Sequence, residues 1–160
     1  MIIARATAVF VLWLSFIGSA AATLLQGEVI RVLDGDTVEL LDTSKNTYRI
    51  RLANIDAPEK SQSFSEVSRQ ALASFVFRKP TTVHKQGVDR YGRVIGVLVV
   101  DGVNVNAQMV HQGLAWVYTQ YNKDSTLVEL QQDAKARKAG LWTDPDPIAP
   151  WDYRARRSKQ

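Results

Sequence analysis

Cysteine is absent from this 160-residue chain. Disulfides and thiolate-bound metals are therefore excluded, and the fold must hold together by packing alone. Histidine is scarce: only His84 and His111 occur, neither set with Ser or Asp in a triad-like pattern, and both are read as structural. Long apolar runs are missing after the first two dozen residues, so no later segment reaches the roughly 20 residues a spanning helix needs. Charge of one sign is not dominant either. Twenty basic and 16 acidic residues give a net charge of +4. That leans toward a polyanionic partner, but many domains without one carry as much. What is present is a 46% hydrophobic composition, enough for a core and too well mixed for a disordered chain.

The first 22 residues read as a leader. Arg5 is followed by the apolar stretch Ala6 to Ile17 and by small residues ending Ala20-Ala21-Ala22, the layout of a secretory signal peptide. An uncleaved anchor is the alternative, and the apolar stretch is short for it. The expected organisation is a leader at 1–22, one domain at 23–142, and a Pro-rich, basic tail at 143–160. The tail, with Pro145, Pro147, Pro150 and the terminal "RARRSK", is expected to be extended or mobile. An exported protein without disulfides fits a bacterial periplasm or medium better than a eukaryotic secretory route.

Period-two alternation runs through Val29 to Leu33, Val38 to Leu40 and Tyr48 to Leu52, predicting a three-stranded meander. Ser63-x-x-Glu66 predicts a capping box opening a helix whose buried face carries Val67, Ala71, Leu72 and Phe75. Strands follow over Thr81–Gln86 and Arg93–Val100, then a helix over Asn104–Gln112 stopped by Gly113. A last helix opens at Thr126-x-x-Glu129 and closes at Gly140. The predicted fold is α+β: a five-stranded, OB-type barrel with three α-helices.

The chemistry gathers in short stretches. "VLDGDTVEL" places Asp34 and Asp36 about one glycine. Strand parity puts both on core-like faces, where an ionised carboxylate needs a partner, and a hard cation is one such partner. The plain alternative is a hairpin turn with a solvated Asp36. "NIDAPEK" holds Asp56 and Glu59 around Pro58, which stiffens the loop. One acid could ligate metal while the other stays free as a base; the alternative is an acidic surface loop. Arg51 and Arg93 offer forked donors that match phosphate oxygens, whereas Arg49 and Arg90 are read as surface arginines paired to acids. Acids for a cation, a free acid for water and arginines for an anion are what phosphodiester hydrolysis requires.

The set "VLDGDTVEL", "RLANIDAPE", "DRYGRV" and "NAQMVHQGLAWV", in this order and spacing, resembles the staphylococcal-nuclease (thermonuclease) family over Gln26 to Trp142. The resemblance implies a nuclease that depends on Ca²⁺, cuts DNA and RNA with low sequence specificity and leaves 3′-phosphate ends. The alternative is a non-catalytic nucleic-acid-binding module on the same barrel. By resemblance, Asp36 and Asp56 ligate Ca²⁺, Ala57 lends its backbone carbonyl where the family usually has Thr, and Asp34 acts through water. Glu59 matches the general base, Arg51 and Arg93 the phosphate-gripping arginines, and Tyr91 and Tyr121 the nucleotide pocket. A family tyrosine two positions before Tyr121 is Thr119 here, with Tyr118 beside it. Trp116, Trp142 and Trp151 are read as packing residues. The expected protein is an exported monomer with no stable membrane association once the leader is cleaved.

Overall fold

The computed structural model describes residues 24–122 and 124–159. The leader expected at 1–22 lies outside the described residues. The alternation read from the sequence builds strands β1 (Leu24–Val32), β2 (Thr37–Asp42) and β3 (Thr47–Leu52), followed by the two-residue β4 (Ile55–Asp56). Helix α1 (Ser65–Val76) leads to β5 (Pro80–Val88) and β6 (Val94–Val100). Short β7 (Val103–Asn104) runs into α2 (Val105–His111), and β8 (Trp116–Val117) precedes α3 (Ser125–Ala136). A 3₁₀ turn at Gly140–Thr143 and helix α4 (Pro150–Arg157) complete the described chain.

Hydrogen bonding closes the sheet on itself. Antiparallel neighbours run β3-β2-β1-β5-β6, and β6 returns to pair parallel with β3 at Ile50↔Val94, Arg51↔Ile95 and Leu52↔Gly96. A five-stranded barrel of the OB type results, as expected. A register shift between Val29 and Arg31 bends β1, which pairs with both β2 and β5, as a bulge does in a closing sheet. Along β6, Val94, Gly96, Leu98 and Val100 are the buried set, every second residue of a run without polar side chains.

Inward side chains of the strands (Val29, Val38, Leu40, Ile50, Leu52, Val83, Leu98) meet Leu72 and Val76 of α1 and Val105, Met109 and Val110 of α2 in one core. Each such residue contributes roughly 1.5–3 kcal/mol of apolar burial. Asn106, 1% exposed, ties barrel to helix. Its side chain accepts from the Leu98 N–H (3.1 Å) and donates to the carbonyls of Ala53 (3.0 Å) and Gly96 (3.2 Å).

Four expectations need correction. The capping box does not form: α1 starts after Phe64, which has a left-handed backbone and no side-chain cap, and Glu66 bonds Arg69 and Gln70 instead. Phe64 packs with Leu141 and Trp142, and that tertiary contact sets the entry to the helix. Leu72 is buried and Ala71 and Phe75 pack against the core as expected, but Val67 is 51% exposed and the fully buried positions of α1 are Ser68, Leu72 and Val76; the helix is turned by the buried hydrogen bond from Ser68 Oγ to the Leu114 carbonyl (2.7 Å). Helix α3 is capped two residues earlier than expected, by Asp124 accepting from the Thr126 N–H (2.9 Å). The tail is not extended. Pro150 sits in the first turn of α4, where its missing N–H costs nothing, so the α-helices among the described residues number four.

Candidate active site

The loop from β1 to β2 is a short bend rather than an open hairpin. Leu33 N–H bonds the Thr37 carbonyl (2.9 Å), and Leu52 N–H of β3 bonds the Asp36 carbonyl (2.8 Å). Asp34 Oδ1 accepts from the Asp36 N–H (3.0 Å). Gly35 is required by close approach: a methyl group there would overlap the Ser68 hydroxyl and lie 2.7 Å from the Ala57 Cβ. Asp36 is thereby turned inward and is 6% exposed. Its Oδ2 accepts from the Ala57 N–H (2.7 Å), and its Oδ1 lies 3.0 Å from Thr37 Oγ1 and 3.2 Å from Arg51 Nε.

The second stretch is held by β4. Asn54 adopts a left-handed φ of 65°, which Asn tolerates better than most residues. This turns the chain so that Ile55 and Asp56 pair with Val117 and Trp116 of β8. Asp56 is 2% exposed. Arg51 joins the two stretches: Nη2 donates to Asp56 Oδ1 (2.8 Å) and Nη1 to the carbonyls of Leu52 (2.7 Å) and Ile55 (2.8 Å).

Glu59 follows Pro58, and its N–H bonds Gln62 Oε1 (2.8 Å). Arg93, at the start of β6, is braced by Asp89, with Nε 2.7 Å from Asp89 Oδ2 and its N–H 3.0 Å from Oδ1. Burial works against ionisation of Asp89, but these bonds and the Tyr91 N–H outweigh it and hold the carboxyl below its usual range.

The candidate site residues from the sequence line one cleft of about 1060 Å³: Asp34, Asp36, Arg51, Asp56, Ala57, Glu59, Tyr91, Arg93 and Tyr121. Tyr91 and Tyr121 are strongly exposed at its rim. Arg49 pairs with Glu39 (3.3 Å) as expected. Arg90 meets no acid among the described residues; its Nη2 donates to the Tyr91 hydroxyl (2.6 Å) and its guanidinium stacks over that ring. His111 lies half exposed, 3.5 Å from Asp133, away from the cleft.

Sequence reasoning gave no site role to Tyr118 or Arg154, which also line the cleft. Tyr118 faces the cleft, edge-on to Tyr121 at 4.9 Å. Arg154, from the tail, enters it and contacts both Asp56 (2.8 Å) and Glu59 (2.6 Å). Only the basic character of the terminal segment hinted at it.

Arg51 and Arg154 hold Asp36, Asp56 and Glu59 at the floor of the cleft, and Asp34 lies beside Asp36. Burial first, and the Asp36 charge second, push the Asp34 carboxyl up to about 6. Burial likewise raises Asp56, with Asp36 adding to it, despite the opposing Arg154 and Arg51. Buried carboxylates held near one another favour a divalent cation, and an all-oxygen donor set suits a hard one. Asp36, Asp56 and the Ala57 carbonyl are the groups that could hold it. Among the described residues, no three acidic or imidazole side chains already converge as a finished ligand shell; arginines hold the acids instead.

The profile of the family described as "Staphylococcal nuclease homologue" matches residues 49–144. A protein of Escherichia coli described as an uncharacterized endonuclease is 51% identical over 134 residues, covering 83% of this chain and 87% of that protein. A micrococcal nuclease of Shigella flexneri is 42% identical over 140 residues, covering 81% and 80%. An uncharacterized endonuclease of Haemophilus influenzae is 40% identical over 126 residues, covering 79% and 71%.

Proposed function

We propose, from the premise that this chain belongs to the family of staphylococcal nuclease homologues, that its cleft hydrolyses phosphodiester bonds of DNA and RNA with Ca²⁺ as cofactor and leaves 3′-phosphate ends. The protein is a nuclease and its substrate is nucleic acid. The observation that carries the finer reading is the joining of buried Asp36 and Asp56 through Arg51, with Glu59 and Arg93 on the same cleft.

Bound at Asp36, Asp56 and the Ala57 carbonyl, with Asp34 reached through water, the cation would supply Lewis-acid polarisation of a phosphoryl oxygen. Glu59 takes a proton from the attacking water. The new bond joins that oxygen to phosphorus, and the bond from phosphorus to the 5′ oxygen breaks. The phosphate stays on the 3′ oxygen of the upstream fragment, and the departing 5′ oxygen of the downstream fragment takes a proton from solvent and leaves as a hydroxyl. Arg93 stabilises the added negative charge on the equatorial oxygens. Arg51 acts mainly as a brace, because Nη1 and part of Nη2 already donate to protein oxygens; a remaining Nη2 hydrogen is left for phosphate. Tyr91 and Tyr121 offer exposed rings for sequence-tolerant base stacking. Contacts to backbone phosphate carry no base identity, hence low sequence specificity. Export through the leader would deliver the enzyme, as a monomer, to a bacterial periplasm or medium.

The test is plasmid nicking by the purified protein with Ca²⁺ and with chelator, beside Asp36→Ala. Cleavage confined to the Ca²⁺ lane, and lost in the variant, is expected. Equal cleavage in chelator, or a fully active variant, would overturn the cation assignment.

A further inference from the structure

We propose that α4 is a latch on the active site: Arg154 is a tethered cation that competes with the divalent ion for Asp56 and with the attacking water for Glu59. This rests on the assignment of those two acids above.

The geometry is specific. Arg154 Nη2 lies 2.8 Å from Asp56 Oδ2, and Nη1 lies 2.6 Å from Glu59 Oε1 and 3.4 Å from Asp56 Oδ1. Asp56 Oδ1 also accepts from Arg51 at 2.8 Å. Both oxygens of Asp56 are thus engaged by guanidinium. Arg51 takes only Oδ1, whereas the Arg154 fork takes Oδ2 as well, so a divalent ion on Oδ2 would meet that second positive charge within contact range, and ion and Arg154 exclude one another. Glu59, meanwhile, cannot accept a proton from water through the lone pairs that bind Nη1.

The rest of α4 is held by contacts suited to opening. Trp151 stacks on Tyr118 at 5.3 Å with the rings 7° from parallel, and meets Trp116 edge-on at 5.7 Å. The Tyr153 hydroxyl bonds Ser61 Oγ (2.8 Å), and Gln62 Nε2 donates to the Ile148 carbonyl (3.0 Å). These bonds are exposed, and only Pro150 of α4 is buried; weakly packed elements of this kind are the ones that open locally. Tyr118 belongs to the cleft wall, so a nucleobase stacking there would displace Trp151. Ion and substrate therefore both favour release. The released segment carries Arg154, Arg156 and Arg157, which a polyanion would attract.

Calcium titration by calorimetry, without nucleic acid, tests the latch on the full chain, Arg154→Gln and Trp151→Ala. The second variant loosens the helix while leaving every charge in place. Both should bind Ca²⁺ more tightly than the parent, Arg154→Gln on the order of tenfold. Hydrogen exchange over α4 in the parent should accelerate as Ca²⁺ saturates. Tighter binding in Arg154→Gln alone would mean a simple charge effect and overturn the latch. Unchanged or weaker binding in both variants would overturn it while leaving the cation site standing. Absence of binding in all three proteins would overturn the latch and the cation assignment together.

Discussion

Asp34 should destabilise the ion-free protein at neutral pH, and replacing it by Asn should make that protein more stable. Its carboxyl is pushed from an ordinary 3.8 up to about 6, by burial first and by Asp36 second. Below pH 4 the group is neutral in the fold and costs nothing. As the pH rises past 4, the unfolded chain ionises freely while the folded one resists, so stability falls until the pH passes about 6. The gap is worth about 3 kcal/mol at pH 7, and because part of it is repulsion shared with Asp36 the gain from one substitution is about 1–3 kcal/mol. Asn keeps an Oδ1 to accept from the Asp36 N–H, 3.0 Å away, so the bend survives. At about 3 °C per kcal/mol for a chain of this size, Tm should rise by about 3–9 °C. Scanning calorimetry in chelator at pH 7 and at pH 4 measures it. The gain should be large at pH 7, nearly vanish at pH 4, and shrink when Ca²⁺ is added at pH 7. A gain of the same size at both pH values, or none at pH 7, would refute the reasoning, since the effect would then not come from the buried charge.

Glu59→Gln and Arg93→Ala should each lower kcat by orders of magnitude while the thermal transition stays cooperative; near-normal turnover in either pure variant would remove that residue from the mechanism. Asn106→Ala leaves the Leu98 N–H and the Ala53 carbonyl without their side-chain partner in the interior, and urea unfolding should show a loss of about 2–4 kcal/mol. Gly35→Ala drives a methyl into Ser68 and Ala57; a stability loss of about 1–3 kcal/mol, with weakened Ca²⁺ binding by calorimetry, is the expected outcome.

Much of the barrel was legible because its first strands alternate: in β3 the core-facing Tyr48, Ile50 and Leu52 are the every-other-residue set visible in the sequence. The N-terminus of α2 was legible for a local reason too, since Asn104 caps it through a bond to the Ala107 N–H (3.0 Å). Local signals failed where a distant contact outweighed them. Ser63 and Glu66 have the spacing of a capping box, yet Phe64 packs on Trp142 and Leu141, and the helix starts where that packing allows. Val67 looks like a core residue, but burial of Ser68 beneath Gly35 and Leu114 turns it outward. Three prolines suggested an extended tail. Pro150 instead opens α4, and stacking of Trp151 on Tyr118 holds the helix against the body.

The sequence by itself determined the inventory of the site: paired acids about a glycine, a stiffened acidic loop, forked donors on two predicted strands, and no thiol. Those follow from residue type and short-range spacing, which the covalent chain carries directly. Only the tertiary structure decided which of those groups meet and how they are charged. Arg51 bridges Asp36 to Asp56 because barrel closure brings β2, β3 and β4 to one end. Arg154 reaches Asp56 from 98 positions away. No local pattern encodes either contact, because both depend on burial and on the low-dielectric crowding that only the folded chain creates.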